Sequence, residues 1–157
     1  MEVKKVRKDL LAPEHEKVIE FSGSHPSRLL GAIPGILKDT LKISGSKVYE
    51  VEICWDVSGD PVSFSGEWYA KYGLDDKTAI WFKVVVRGSQ SAKDLKGSAT
   101  VTLSGWIESS VVYPSGLKKI VEFYELIFYS SQRRKYIEEG RILIKRIEDA
   151  IRKELGI

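Results

Sequence analysis

The chain of 157 residues contains no asparagine, and its glutamines are Gln90 and Gln132 alone. It has one cysteine, one methionine and two histidines. Each shortage excludes something. A single thiol, Cys54, cannot close an internal disulfide, which points to a reducing compartment, and we expect a cytoplasmic protein. His15 and His25 do not form a metal-ligand pattern, and zinc spacing is missing. A glycine-rich phosphate loop and a nucleophile elbow are missing too, so no metal or cofactor is expected. No apolar run nears the ~18 residues of a membrane span. The first residues lack the apolar centre of a signal peptide. A net charge of +3 is too small to imply nucleic acid. Scarce amides beside plentiful lysine and glutamate suggest adaptation to heat, as in archaeal-like thermophile sequences.

What is present is ordinary globular composition, 43% hydrophobic and 30% charged, at a length that suits one domain over residues 1–157. The clearest element is the last one. Ile137, Ile144, Ile147, Ile151 and Leu155 recur at helical spacing, with Gly140 as a gap in the row. That spacing predicts one amphipathic helix from about Ser131 to about Leu155.

The rest reads mainly as strands. Residues 2–11 give a charged first strand. Ala12-Pro13-Glu14 opens a short helix through Val18, Ile19 and Phe21, and Ser27–Ala32 gives a second, closed by Pro34-Gly35. From Thr40 the period becomes two. Leu41 and Ile43 begin a short strand. Tyr49, Val51, Ile53, Trp55 and Val57 share one face of the next, opposite Glu50, Glu52, Cys54 and Asp56. Phe64, Gly66 and Trp68 follow on the inner face of a fourth strand, Phe82 and Val84 on a fifth. Leu103, Gly105, Ile107 and Tyr113 belong to a long sixth, expected to bend at Gly105. Residues 117–129 also fit a helix, but their β-branched and aromatic content favours a seventh strand. The expectation is an α+β domain: a seven-stranded curved antiparallel sheet wrapped around a long C-terminal helix, with two short helices between strands 1 and 2.

Several short segments carry a resemblance. They are Ala12-Pro13-Glu14, Val18 and Phe21, Pro26, Leu29 through Ile33-Pro34-Gly35, Phe64-Ser65-Gly66, and Gly97 through Leu103. In this order the chain resembles the helix-grip superfamily of START lipid-transfer domains, birch-pollen allergens and polyketide cyclases (SRPBCC). Within it, the chain looks most like the carbon monoxide dehydrogenase G-like proteins. The resemblance implies a hydrophobic cavity between sheet and C-terminal helix that takes a fatty acid, lipid or quinone. Some members are cyclases or hydrolases, with no catalytic set common to all.

The residues expected to line such a cavity are Leu29, Ile33, Tyr49, Ile53, Trp55, Phe64, Trp68, Phe82, Val84, Leu103, Ile107, Tyr113, Ile144 and Ile147. The plainer reading is that they fill a solid core, since burying each large side chain is worth roughly 2–3 kcal/mol. Glu122 or Glu125 is a candidate polar anchor or acid/base, against a rim salt bridge. Arg133 and Arg134, with Lys135, are candidates for holding a carboxylate head, against a solvated helix face. Function therefore divides three ways: a non-enzymatic carrier of an apolar small molecule, a cyclase or hydrolase using an inward glutamate, or a filled interaction module. The apolar character of residues 120–128 suggests a homodimer.

Overall fold

The computed structural model describes residues 2–113, 116, 119, 120 and 130–157. Six antiparallel strands form one sheet: β1 (Glu2–Asp9), β2 (Lys17–Ser24), β3 (Val48–Asp56), β4 (Val62–Gly73), β5 (Thr78–Gln90) and β6 (Lys96–Tyr113). Its order is β1-β6-β5-β4-β3, with β2 also on β6. A helix α1 (Leu29–Leu41) follows a single 3-10 turn at Pro26–Arg28, and α2 (Ser130–Leu155) closes the chain. The curved antiparallel sheet with a C-terminal helix is an α+β layout.

The start of the chain differs from the expectation. Lys17–Ser24 is strand, not a first short helix. Ile19 and Phe21 are buried while Val18, Glu20 and Ser22 are exposed, so the period is two. Together β1 and β2 pair with almost the whole of β6, Glu2 opposite Tyr113 and Ser24 opposite Lys96. Residues 10–16 loop out between them. Leu10 turns in from that loop and is fully buried. It fills the space left by two glycines: a Cβ at Gly140 would lie 2.6 Å from Leu10, and one at Gly105 2.8 Å. The gap in the helix row and the break in the long strand are therefore the two halves of one socket.

The second short helix also differs. It continues past Pro34 to Leu41, taking in the residues expected to start a strand. Leu29, Leu30, Ile33, Leu37 and Leu41 are its buried row, and that burial outweighs local preference. The preference is poor. Gly31 and Gly35 each cost about 1 kcal/mol against alanine and Pro34 about 3 kcal/mol. The start lacks a side-chain cap bond from Arg28, whereas the end is closed by Lys42 at φ 54°, with the N–H groups of Lys42 and Ile43 both donating to the Lys38 carbonyl.

The sheet has six strands among the described residues, not seven. Of the expected seventh strand, 117–129, only Lys119 and Ile120 are described, and both are helical. The rest, with Glu122 and Glu125 and most of the expected dimer surface, lies outside the described residues.

The two helices divide the inner face. α2 lies against β6 and β2, and α1 against β4 and β3; the helices also pack on each other. The buried residues of both join one core with Trp68, Phe82, Val84, Val101, Leu103 and Ile107.

Candidate functional site

The site is best built from β4, the strand under α1. Its alternate residues Phe64, Gly66, Trp68 and Ala70 are buried and the intervening ones are half-buried. Trp68 is completely buried. Its six-membered ring folds over Gly66, where a Cβ has no room, and Leu30 Cδ2 of α1 stands 3.0 Å from the same point. Its indole Nε1–H has no hydrogen-bond partner among the described residues. A buried donor left unsatisfied costs about 1–3 kcal/mol, and the indole N–H of Trp106 on the outer face is likewise unpartnered among the described residues.

β3 carries the second half of the site, and here the alternation expected from sequence fails. A bulge between Glu50 and Glu52 shifts the pairing with β4. Tyr49 then lies opposite Tyr69, Glu50 opposite Trp68, Ile53 opposite Gly66 and Trp55 opposite Phe64. One extra residue reverses the parity of everything before it. Ile53 and Trp55 remain on the inner side, but Tyr49 is on the outer face and Glu50 on the inner one. Even the inner pair is not enclosed, with Ile53 38% and Trp55 52% exposed. The Trp55 ring leans on Phe64 at 5.9 Å. Trp55, Phe64 and Trp68, with Gly66 between the last two, thus make an aromatic row from the sheet edge to the unpaired indole. At the same end of the sheet an open cleft of about 390 Å³ lies toward the outer face, lined chiefly by Cys54, Asp56, Ser63, Ser65 and Arg87, with Trp55, Phe64 and Gly88 at its edge. That volume falls in the range of small-molecule sites.

The remaining expected lining residues are Leu29, Ile33, Phe82, Val84, Leu103, Ile107, Ile144 and Ile147, all buried and all in the core. The side chain of Tyr113 lies outside the described residues. The cationic start of α2 is not near the cleft. Tyr136 donates to Asp75 at 2.8 Å and Tyr72 to Glu139 at 3.1 Å, which ties this part of α2 to the turn after β4. From Phe64 to Gly73 a strand runs roughly 30 Å. Arg133 is half-buried and Arg134 exposed at that distant end.

The outer face holds an aromatic group joined by Tyr49, the residue that sequence alternation had put on the inner face. Trp81 and Trp106 stack at 6.4 Å, flanked by Tyr49 and Tyr69. Arg7 lies over Trp106, Lys71 over Trp81 and Lys83 over Tyr69. These contacts stiffen the convex side, each cation adding about 0.5–1 kcal/mol at an exposed ring. Cys54 is exposed on this face, and its hydrogen bond to Glu52 raises its pKa, which keeps it a thiol and a poor nucleophile. Among the described residues no group of His, Cys, Asp or Glu could hold a metal ion. No described helix is long and apolar enough to cross a membrane.

No family model matches the chain, and no curated protein matches it. Among solved structures it is similar to a protein of unknown function, SA2116 from Staphylococcus aureus, at 13% identity over 99% of both chains with a TM-score of 0.31. It is similar to an uncharacterised protein from Rhizobium leguminosarum at 9% identity, over 98% of this chain and 99% of that one, with a TM-score of 0.26. It is also similar to Ara h 8.0201 at 12% identity, over 86% of this chain and 95% of that one, with a TM-score of 0.17.

Proposed function

We propose that this protein binds and carries an apolar small molecule of the fatty-acid, lipid or quinone kind, without catalysis. The observation that carries the reading is the buried Trp68 N–H, unpartnered among the described residues on an otherwise apolar inner face. A core meant only to be filled does better with phenylalanine there, because an unsatisfied donor is a net cost. The aromatic row from Trp68 to the exposed Trp55 gives the ligand a place to dock at the sheet edge, and a shift of Leu30 and α1 would lengthen that place toward Trp68. The finer likeness to the carbon monoxide dehydrogenase G-like proteins belongs with this reading. Each methylene taken from water contributes about 0.8 kcal/mol, so a long chain reaches micromolar affinity after the cost of association. The test is native mass spectrometry of the purified protein with organic extraction, then calorimetric titration with dodecanoic to octadecanoic acids and a short-chain quinone. Co-purifying lipid, or saturable heat with any of these, is the expected result. Neither extractable ligand nor heat from any of them would discard the carrier.

A second reading rests on the β3 edge, where Val51 is 55%, Trp55 52% and Val57 74% exposed. Apolar side chains so displayed suit association, including the homodimer expected from sequence. Light scattering at rising concentration checks it, with a strict monomer as the refuting outcome.

A further inference from the structure

We infer that the ligand bears a neutral carbonyl at its inner end and that Glu50, facing Trp68 across the sheet, turns carboxylates away. This deepens the carrier reading and rests on it. The bulge in β3 is what brings the two together. Without it Glu50 would point to the outer face, with the other acids of its strand. With it, Glu50 is the residue opposite Trp68 on the inner side. Residues opposite each other in an antiparallel pair have Cβ atoms about 4.5–5.5 Å apart.

The strands themselves supply no compensating cation at their described inner positions, and the lysines of the flanking segments, Lys38 and Lys42 at the end of α1 and Lys47 just before β3, are all exposed. On β3 the inner positions are Val48, Glu50, Ile53 and Trp55, and on β4 they run from Phe64 through Gly66, Trp68 and Ala70. On β5 they run from Ile80 to Val86 through Phe82 and Val84. The buried row of α1 is entirely aliphatic. Glu50 is thus the one charged group at the described inner positions of these strands. The cation beside the cleft, Arg87, stands opposite Ser65 and Thr100 on the outer face. The cluster at the start of α2 is at the far end of the sheet.

The chemistry follows. Trp68 Nε1–H is a neutral donor and can satisfy a ketone, quinone or ester oxygen without moving charge into the core. A carboxylate reaching the same donor would be desolvated and would face Glu50 at close range, both of which disfavour the anion. A protonated acid escapes this, so discrimination should fade as pH falls toward the carboxylic acid range.

The probe pair is dodecanoic acid and methyl dodecanoate, equal in chain and different only in head, titrated near pH 8. The ester should bind about tenfold more tightly or better, the scale of one hydrogen bond made rather than a charge buried. Glu50→Gln should bring the acid to within about threefold of the ester, and Trp68→Phe should weaken the ester while leaving the melting temperature unchanged or raised. Melting curves of both variants establish that they fold. Glu50 is exposed, so its replacement is safe for folding. Acid binding as tightly as the ester, or a ratio unmoved by Glu50→Gln, overturns the inference while leaving the carrier standing. Ester affinity unchanged in Trp68→Phe removes Trp68 from the site and overturns the inference with it. Binding of neither probe, with nothing extractable from the protein, overturns the carrier itself.

Discussion

α1 and α2 cover adjoining parts of one sheet and do so by opposite means. α2 is long and fastened on every side. Lys17 of β2 reaches Glu148 at 3.3 Å, which also meets Arg152, and Lys145 meets Asp149. Arg141 Nε donates to the Leu10 carbonyl at 2.8 Å. Tyr72 and Tyr136 fasten the other end. α1 has no comparable ties from its own helical residues to the described remainder of the chain. It keeps its shape through one aliphatic row and the cap at Lys42, against two glycines, an internal proline and a start without a side-chain cap. The difference teaches where the fold keeps its slack. Local opening is cheapest where few tertiary bonds oppose it, and α1 is the helix that lies over the unpaired indole.

The largest effect should come from the α2 side. Leu10 is fully buried between Gly105 and Gly140. Leu10→Ala removes the plug from this socket, and should cost about 2–5 kcal/mol. Chemical denaturation measures it. A loss under about 1 kcal/mol would mean that the socket collapses and that α2 is not pinned there.

A smaller effect sharpens the same contrast through pH. Burial alone would raise the Glu148 pKa, but the hydrogen bond and charge of Lys17, with Arg152 and Lys145, hold it below the ordinary value. Burial likewise opposes Asp75, and its bonds from Lys77, Tyr136 and Thr78 outweigh it. A carboxyl held low in the fold adds stability above its unfolded pKa and loses it as pH falls through the folded one. Stability should therefore decline with acid from about pH 5 downward. Lys17→Ala should cost about 1–2 kcal/mol at neutral pH and flatten that decline. An unchanged slope in the variant would show that Glu148 does not carry it.

Sequence periodicity located α2 to within a residue and put the inner rows of β4, β5 and β6 on the right face, because those rows are long and strictly periodic. It failed where a short segment had to choose. Val18, Ile19 and Phe21 fit a helical turn or a strand, and pairing with β6, a contact distant in sequence, decided for strand. Pro34-Gly35 marked a helix end, yet the apolar row on either side of it was worth more than its local cost. At the site, Trp55, Phe64 and Trp68 were legible as inner aromatics. The bulge was not, since no glycine or proline marks it, and it moved Tyr49 out and Glu50 in. The approach of Glu50 to Trp68 is thus a property of strand pairing rather than of pattern.

The smallest predicted effect is the most direct test of α1 as the loose half. Gly31 and Gly35 face open space, with nothing within 4 Å of an added Cβ. Both sit inside a helix with ordinary backbone angles, since neither is among the positive-φ glycines. Alanine at either position therefore meets no clash and restricts the unfolded chain. Each replacement should stabilise by up to about 1 kcal/mol, or roughly 2–4 °C in melting temperature for a chain of this size. The gain should be local. Hydrogen exchange should show α1 amides opening well before those of α2 in the parent chain, and the double variant Gly31→Ala, Gly35→Ala should narrow that gap. If α1 must lift for a ligand to reach Trp68, the same variant should take up the ester more slowly while holding it no less tightly. Equal protection of the two helices in the parent would dissolve the contrast. A protected α1 with an unchanged uptake rate would preserve the contrast but move the ligand's route elsewhere, to the open side of the sheet at Trp55.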